Sequence, residues 1–130
     1  MYYYLRQAWK QPTAEMRKQR EIEWRAGNAI VKVDKPLRLD RARSLGYKAK
    51  KGIIVVRVRI NRGGRKRKRA GVKGRKSRKQ TIRKTLKMNY QWVAEIRAAR
   101  KYRNLEVLSS YFLGKDGKHY FFEDIMIDPS

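Results

Sequence analysis

The 130-residue sequence carries 36 Lys and Arg against 11 Asp and Glu, a formal charge of +25, yet 41% of its residues are hydrophobic. Self-repulsion at that density opposes a compact isolated chain, so the composition points to a polyanionic companion and to one small domain with appendages. The lack of any cysteine excludes disulfides, a thiol nucleophile and Cys-based zinc sites, and no metal or other cofactor is expected.

The N-terminal stretch reads helical, because Leu5, Ala8 and Trp9 recur at the spacing of one helix face. It has no long apolar run after its first basic residue, so it does not read as a signal peptide. No segment approaches the roughly 20 apolar residues that span a bilayer. A soluble intracellular protein without a membrane partner is expected. Pro12 interrupts the first helix, and a second begins near Thr13 or Gln11, with Glu15 in its first turn. It runs through Glu21, Ile22 and Trp24 to the stop pair Gly27-Asn28. Its thin apolar stripe suits a helix lying on RNA better than one sunk in a protein core.

Residues 29–33 are short and β-branched, a strand ended before Pro36. A connector over 37–51, dense in Arg and Lys, follows, with Leu39, Leu45 and Tyr47 as anchors and Gly46 and Gly52 permitting turns. The clearest strand is 53–60. Ile54, Val56, Val58 and Ile60 share one face, the core face, while Val55, Arg57 and Arg59 share the other, which is expected to meet water or RNA. From 62 to 79 apolar residues nearly vanish and glycines recur within Lys/Arg runs, which predicts an extended loop. A long helix is then marked by Ile82, Leu86, Tyr90, Val93 and Ile96, with Asn104 at its C-cap. Segments 107–113 and 120–127 flank Gly114-Lys115-Asp116-Gly117, a hairpin whose Asp-Gly pair would supply a positive-φ position. The chain thus divides into an N-terminal helical segment (1–28), one α/β domain (29–61 and 81–130), and a basic RNA-binding loop inserted in it (62–80).

Catalytic groups are missing from this pattern, and no enzyme activity or small-molecule substrate is expected. The single histidine, His119, has no neighbouring nucleophile or metal partner. Glu123 and Asp124 are adjacent on a strand and point to opposite faces, so they cannot act as a carboxylate pair. Gly63-Gly64 lacks the Gly-Lys-Ser/Thr continuation of a nucleotide-binding loop.

What the sequence does contain is an interval, 41–94, without one Asp or Glu. Solvated faces usually mix signs, so this length of one sign argues for nucleic acid. The candidate contacts are Arg41, Arg43, Lys48, Lys50 and Lys51 in the connector and Arg57 and Arg59 on the outer strand face. In the loop they are Arg62, Arg65, Lys66, Arg67, Lys68, Arg69, Lys73, Arg75, Lys76, Arg78 and Lys79. Arg38 and Tyr47 join them from the connector. Their spread over irregular segments suits folded RNA, read by shape, phosphates and 2′-hydroxyls, better than the single recognition helix common in DNA readers. The alternative, a chromatin or nucleoid architectural DNA-binding protein, would show apolar wedges beside its basic residues, and the loop has only Val72. Tyr2, Tyr3, Tyr4, Trp9, Trp24, Tyr47 and Tyr102 are the aromatics able to stack on unpaired bases, with core packing competing for each.

The segment Arg38-Leu39-Asp40-Arg41-Ala42-Arg43-Ser44-Leu45-Gly46-Tyr47-Lys48-Ala49-Lys50-Lys51-Gly52 resembles the signature of the L-fifteen-e family of archaeal and eukaryotic large-subunit ribosomal proteins. Val55-Val56-Arg57-Val58-Arg59, Arg62-Gly63-Gly64-Arg65-Lys66, Asn104-Leu105-Glu106-Val107-Leu108-Ser109-Ser110-Tyr111 and Phe122-Glu123-Asp124-Ile125-Met126-Ile127-Asp128-Pro129 continue the likeness in order. The resemblance implies a small α/β domain of the α+β type. Its mixed or antiparallel sheet would pack on the long helix, with basic extensions threaded into rRNA of the large subunit beside neighbouring ribosomal proteins. By the same resemblance Arg41, Arg43, Lys48, Lys50, Lys51 and residues 62–69 would touch rRNA, and the protein would reside in cytoplasmic ribosomes. Members of that family usually continue past the Asp-Pro pair into a further basic tail.

Overall fold

The computed structural model describes residues 1–65 and 85–130. Among the described residues four helices and four strands follow in the order α1 (Tyr2–Lys10), α2 (Ala14–Ala26), β1 (Ile30–Val33), α3 (Leu39–Ser44), β2 (Ile53–Asn61), α4 (Tyr90–Lys101), β3 (Glu106–Lys115) and β4 (His119–Ile127). The strands form one sheet, β1-β2-β4-β3, in which every pairing is antiparallel. This is an α+β fold, and its sheet is antiparallel rather than mixed. The inserted loop expected at 62–80 lies largely outside the described residues, as does Ile82.

The alternation in β2 places Val56, Val58 and Ile60 on one face, where they meet Phe122 and Met126 of β4. Helix α4 closes this layer. Ala94 and Ala98, both fully buried, let its backbone come close to the sheet without a bulky side chain between. The helix is shorter than the apolar spacing predicts. The Asn89 side chain accepts the Trp92 amide at 2.8 Å, so the helix starts at Tyr90, and Leu86 stays outside it and exposed. At the other end the cap is Tyr102 rather than Asn104, its amide donating to the Ala98 carbonyl at 3.0 Å.

The opposite face of the sheet, expected to meet water or RNA, carries a second apolar layer. Val55 is 2% exposed, and beside it Phe121, Ile125, Tyr111 and Leu113 pack under Trp24 of α2 and Ala42 of α3. α2 is therefore pinned to the core by Trp24, while most of its other residues are exposed. Its N-cap is Thr13, whose hydroxyl accepts the Met16 amide at 3.2 Å. α1 buries no residue. Leu5 and Ala8, expected on a packed stripe, are exposed, and only Trp9 turns toward the core. The helix is held against α3 by polar contacts, Arg6 to Asp40 at 3.7 Å and Arg43 donating to the Tyr2 hydroxyl at 2.6 Å.

The connector contains a helix, α3, that its density of arginines concealed. Gly46 ends it at a φ of 100°, and a Cβ there would meet the Leu108 side chain at 3.1 Å, so only glycine fits this turn comfortably. The hairpin forms as expected but by another device. Gly117 does not adopt a positive φ; the Asp116 carboxylate accepts the amides of Lys118 and His119 at 2.7 and 2.5 Å and builds the turn itself.

Because the sheet is sealed on both sides, Val55→Asp and Val56→Asp should each cost on the order of 3 to 5 kcal/mol, a carboxylate having no partner in either layer. Thermal or urea melts of the two variants check this. A Val55→Asp protein nearly as stable as its parent would show that the second layer is not closed.

Candidate nucleic-acid interface

The turn after α3 presents the connector lysines on a fixed backbone. The Tyr47 amide donates to the Ala42 carbonyl at 3.0 Å, the Lys50 amide to the Lys48 carbonyl at 2.9 Å, and the Asp128 amide to the Gly52 carbonyl at 2.8 Å. Tyr47 itself is half-buried against the second apolar layer, so its ring anchors this turn. Lys48, Lys50 and Lys51 are exposed, and Lys50 and Lys51 share a groove beside β1 and β2 with Lys32 and one acid, Asp34. Among the described residues no carboxylate lies within ion-pair distance of these lysines, nor of Arg41 or Arg65, which are also exposed.

The other arginines singled out from the sequence have partners inside the protein. Arg38 donates to the Phe112 carbonyl at 3.2 Å and lies 5.2 Å from the Trp9 ring centre. Arg43 caps the Tyr2 ring at 5.8 Å. Arg57 covers Trp24 at 5.9 Å and stands opposite Glu123 in the ladder. Arg59 donates to the carbonyls of Arg25 and Gly27, at 2.7 and 3.2 Å, where α2 ends. Arg62 donates to the Asp116 carbonyl at 2.7 Å and covers Tyr120 at 5.0 Å. The structure thus brings Arg41, Lys48, Lys50, Lys51 and Arg65 to the surface without a carboxylate partner, while the five other arginines each contact a ring or carbonyl of the chain, Arg43 and Arg62 from exposed positions. Lys66, Arg67, Lys68, Arg69, Lys73, Arg75, Lys76, Arg78 and Lys79 lie outside the described residues.

Of the aromatics considered for stacking, Trp24 is 6% exposed and Tyr102 is half-buried against the α4 layer. Tyr3 and Tyr4 are exposed, as is Trp92, which the sequence reading passed over. That reading also missed Tyr90. Its hydroxyl accepts the Gly63 amide at 2.9 Å and donates to the Gly63 carbonyl at 2.8 Å, gripping the backbone where the basic run begins. No local signal separates such a tyrosine from an ordinary core residue on α4.

The acidic side of the charge balance is partly withdrawn from the surface. Asp116, Glu123 and Asp124 are all buried. Glu123 and Asp124 point to opposite faces, as their adjacency requires. Glu123 accepts the Leu37 amide at 3.2 Å and the Tyr111 hydroxyl. Burial pushes its carboxyl above the ordinary range, with the bonds from Tyr111 and Leu37 pulling back. Tyr111 is pushed well above the usual phenol range by its own burial and by the Glu123 carboxylate. Asp124, beneath α4, has no hydrogen-bond partner among the described residues. Its carboxyl is pushed up to about 8, first by burial and then by Glu95 and Glu123. Glu95 is meanwhile held by the Ser110 hydroxyl, which also accepts from Gln91 at 2.8 Å. At neutral pH Asp124 is mostly uncharged, so it adds little to the negative side of the balance.

The profile of the family described as Ribosomal L15 matches residues 1–130. The chain belongs to that family. It is 50% identical to the large ribosomal subunit protein eL15 of Methanocella arvoryzae over 133 residues, covering 98% of this chain and 67% of that protein. It is 48% identical to the protein of the same name from Methanospirillum hungatei, covering 99% and 68%, and 47% identical to that of Natronomonas pharaonis, covering 98% and 67%. The chain spans about two thirds of the length of these relatives. Among the described residues of this family member no helix is long and apolar enough to cross a membrane, and no cluster of His, Cys, Asp and Glu is arranged to hold a metal.

Asp124 gives a test of the electrostatic layout. Its folded pKa lies above the unfolded value, so the native state holds the proton longer, and stability falls as pH rises from about 4 to about 8. Asp124→Asn should leave stability near pH 4 almost unchanged and raise it by on the order of 5 kcal/mol at pH 8. Melts across that range check the sign, and a variant that loses stability at pH 8 would mean that the carboxylate has a compensating partner.

Proposed function

We propose that this chain is a structural constituent of the large ribosomal subunit that binds folded rRNA and stabilises it by neutralising converging phosphates. The observation that carries the reading is the predominantly basic surface at the connector. There Lys48, Lys50 and Lys51 stand free of carboxylate partners on a backbone fixed by the second apolar layer. A polyanion fits such a surface because each neutralised phosphate also releases condensed counterions. Names of the relatives, large ribosomal subunit protein eL15, support the same partner.

In this proposal Arg41, Lys48, Lys50, Lys51 and Arg65 meet phosphates directly, and the basic run at 66–79 extends the contact. Arg38, Arg43, Arg57, Arg59 and Arg62 act mainly by holding the helices and hairpin that present them. The partners are large-subunit rRNA and the neighbouring ribosomal proteins, the place of action is the ribosome, and the role is structural rather than catalytic.

The division of labour is testable by binding to a structured rRNA fragment at several salt concentrations. Replacing Lys48, Lys50 and Lys51 together with Ser should leave the melting temperature of the free protein unchanged or slightly higher, since like charges are removed. The slope of log affinity on log salt should become shallower by about 2 to 3, the share of three phosphate contacts. Arg59→Ala should do the reverse, lowering stability by about 1 kcal/mol and leaving the slope close to that of the parent. A triple variant that keeps the parent's salt slope would remove the connector from the interface.

A further inference from the structure

Between α1, α2 and the β3–β4 hairpin lies a half-open cleft of about 440 Å³, on the side of the molecule away from α4. None of its charged residues falls within the acid-free interval. Trp9 and Trp24 supply aromatic surface, Trp24 at the floor with 6% exposure and Trp9 half-buried on the wall. Arg17 and Arg20 line it from α2, Lys10 from the end of α1, and Lys115 from the hairpin. The single acid is Glu21, for which no ion pair forms among the described residues. Gly114 forms part of the hairpin wall, and a Cβ there would stand 3.3 Å from the Trp24 ring, so this wall stays bare where it approaches the floor.

We propose that this cleft receives a single unpaired nucleotide extruded from folded RNA, its base stacked at Trp9 and its phosphates met by Arg17, Arg20 and Lys115. The proposal rests on the RNA-binding reading above and adds a base-receiving site to it. Three features favour this occupant. The volume is in the range of pockets that enclose a small flat molecule. Four cations against one carboxylate match a ligand that carries phosphate, while the tryptophans match its base. The guanidinium groups of Arg20 and Arg38 lie 5.0 and 5.2 Å from the Trp9 ring centre, so this indole already holds flat groups, and Arg20, which lines the cleft, is the one a base would meet. A base can displace this guanidinium or stack on it, because arginine stacks on planar faces as readily as it binds phosphate. Glu21 would be out of place in a site for phosphate alone. Beside a base it offers an acceptor for the exocyclic amino group of adenine, guanine or cytosine.

Two RNA hairpins of equal length and charge separate the possibilities, one with a single bulged adenosine and one fully paired, titrated with the full chain under identical salt. The bulged hairpin should bind about tenfold more tightly, the scale of one base–aromatic stack. Trp9→Ala should erase that preference while leaving affinity for the paired hairpin unchanged. Trp9→Phe, which keeps a ring, should retain most of it. Arg17→Ala, an exposed position, should narrow the preference several-fold with no change in melting temperature, and so serves if Trp9→Ala fails to fold. Equal binding of both hairpins with a steep salt slope would overturn the cleft assignment and spare the RNA-binding reading. Absence of salt-dependent binding to either hairpin would overturn both. A preference that survives Trp9→Ala would place the base elsewhere.

Discussion

Glu123 stands on β4, an interior strand of the sheet, 1% exposed, and the amide of Leu37 comes down onto its carboxylate at 3.2 Å. That bond fixes where the chain leaves Pro36, itself buried, and enters the connector. The Tyr111 hydroxyl takes the same carboxylate from β3, and Arg57 faces it from β2, so three elements on one face of the sheet meet at one acid. A buried carboxylate is costly unless its lone pairs are satisfied, and losing any one of these partners leaves the cost uncompensated. The position of α3, and through it of the lysine turn, therefore depends on an acid placed inside a strongly basic protein.

The use of the acids follows from this. With so few carboxylates, pairing each exposed cation is impossible, and several of the acids serve structure instead. Asp116 builds the hairpin turn and reaches Arg25 at 3.6 Å, which ties α2 to the hairpin. Asp40 holds α1 through Arg6. The remaining surface keeps a large excess of cations that repel one another, a state that binding to a polyanion relieves. Stability of the free protein and affinity for its partner thus pull in opposite directions at the lysine turn, and in the same direction at Glu123.

Much of the fold was legible in the sequence, because alternation in β2, the flanks of the hairpin and the proline between α1 and α2 are local signals. The second apolar layer was not legible, and the reason lies in Arg57 and Arg59. Alternating with Val55, they read as a solvated face, whereas their guanidinium groups reach the Trp24 ring and the backbone carbonyls at the end of α2. Helix α4 was drawn too long because apolar spacing continues upstream of Asn89, and spacing carries no information on which polar side chain caps the first turn. The turn at Asp116 was placed correctly with the wrong agent, since an Asp-Gly pair can turn through glycine's backbone or through the aspartate's side chain.

Charge in the sequence named the class of partner but could not say which cations were free to meet it. The structure divides them largely by chemistry. A guanidinium is planar, weakly hydrated and able to stack and donate at once, so arginines 38, 43, 57, 59 and 62 are drawn onto rings and carbonyls of their own chain. An ammonium is compact and strongly hydrated, gains less from such contacts, and stays in water on a flexible stem. Lys48, Lys50 and Lys51 remain exposed for that reason, able to follow phosphates whose positions vary along a folded RNA. The same contrast applies in the cleft beneath α1 and α2, where Arg20 rests on Trp9 and Lys115 lies exposed at the end of β3. The division is one of tendency, since Arg41 and Arg65 stay exposed and Lys101 donates to the Ile30 carbonyl at 2.8 Å, but stacking and donating at once is what draws the five arginines into the fold.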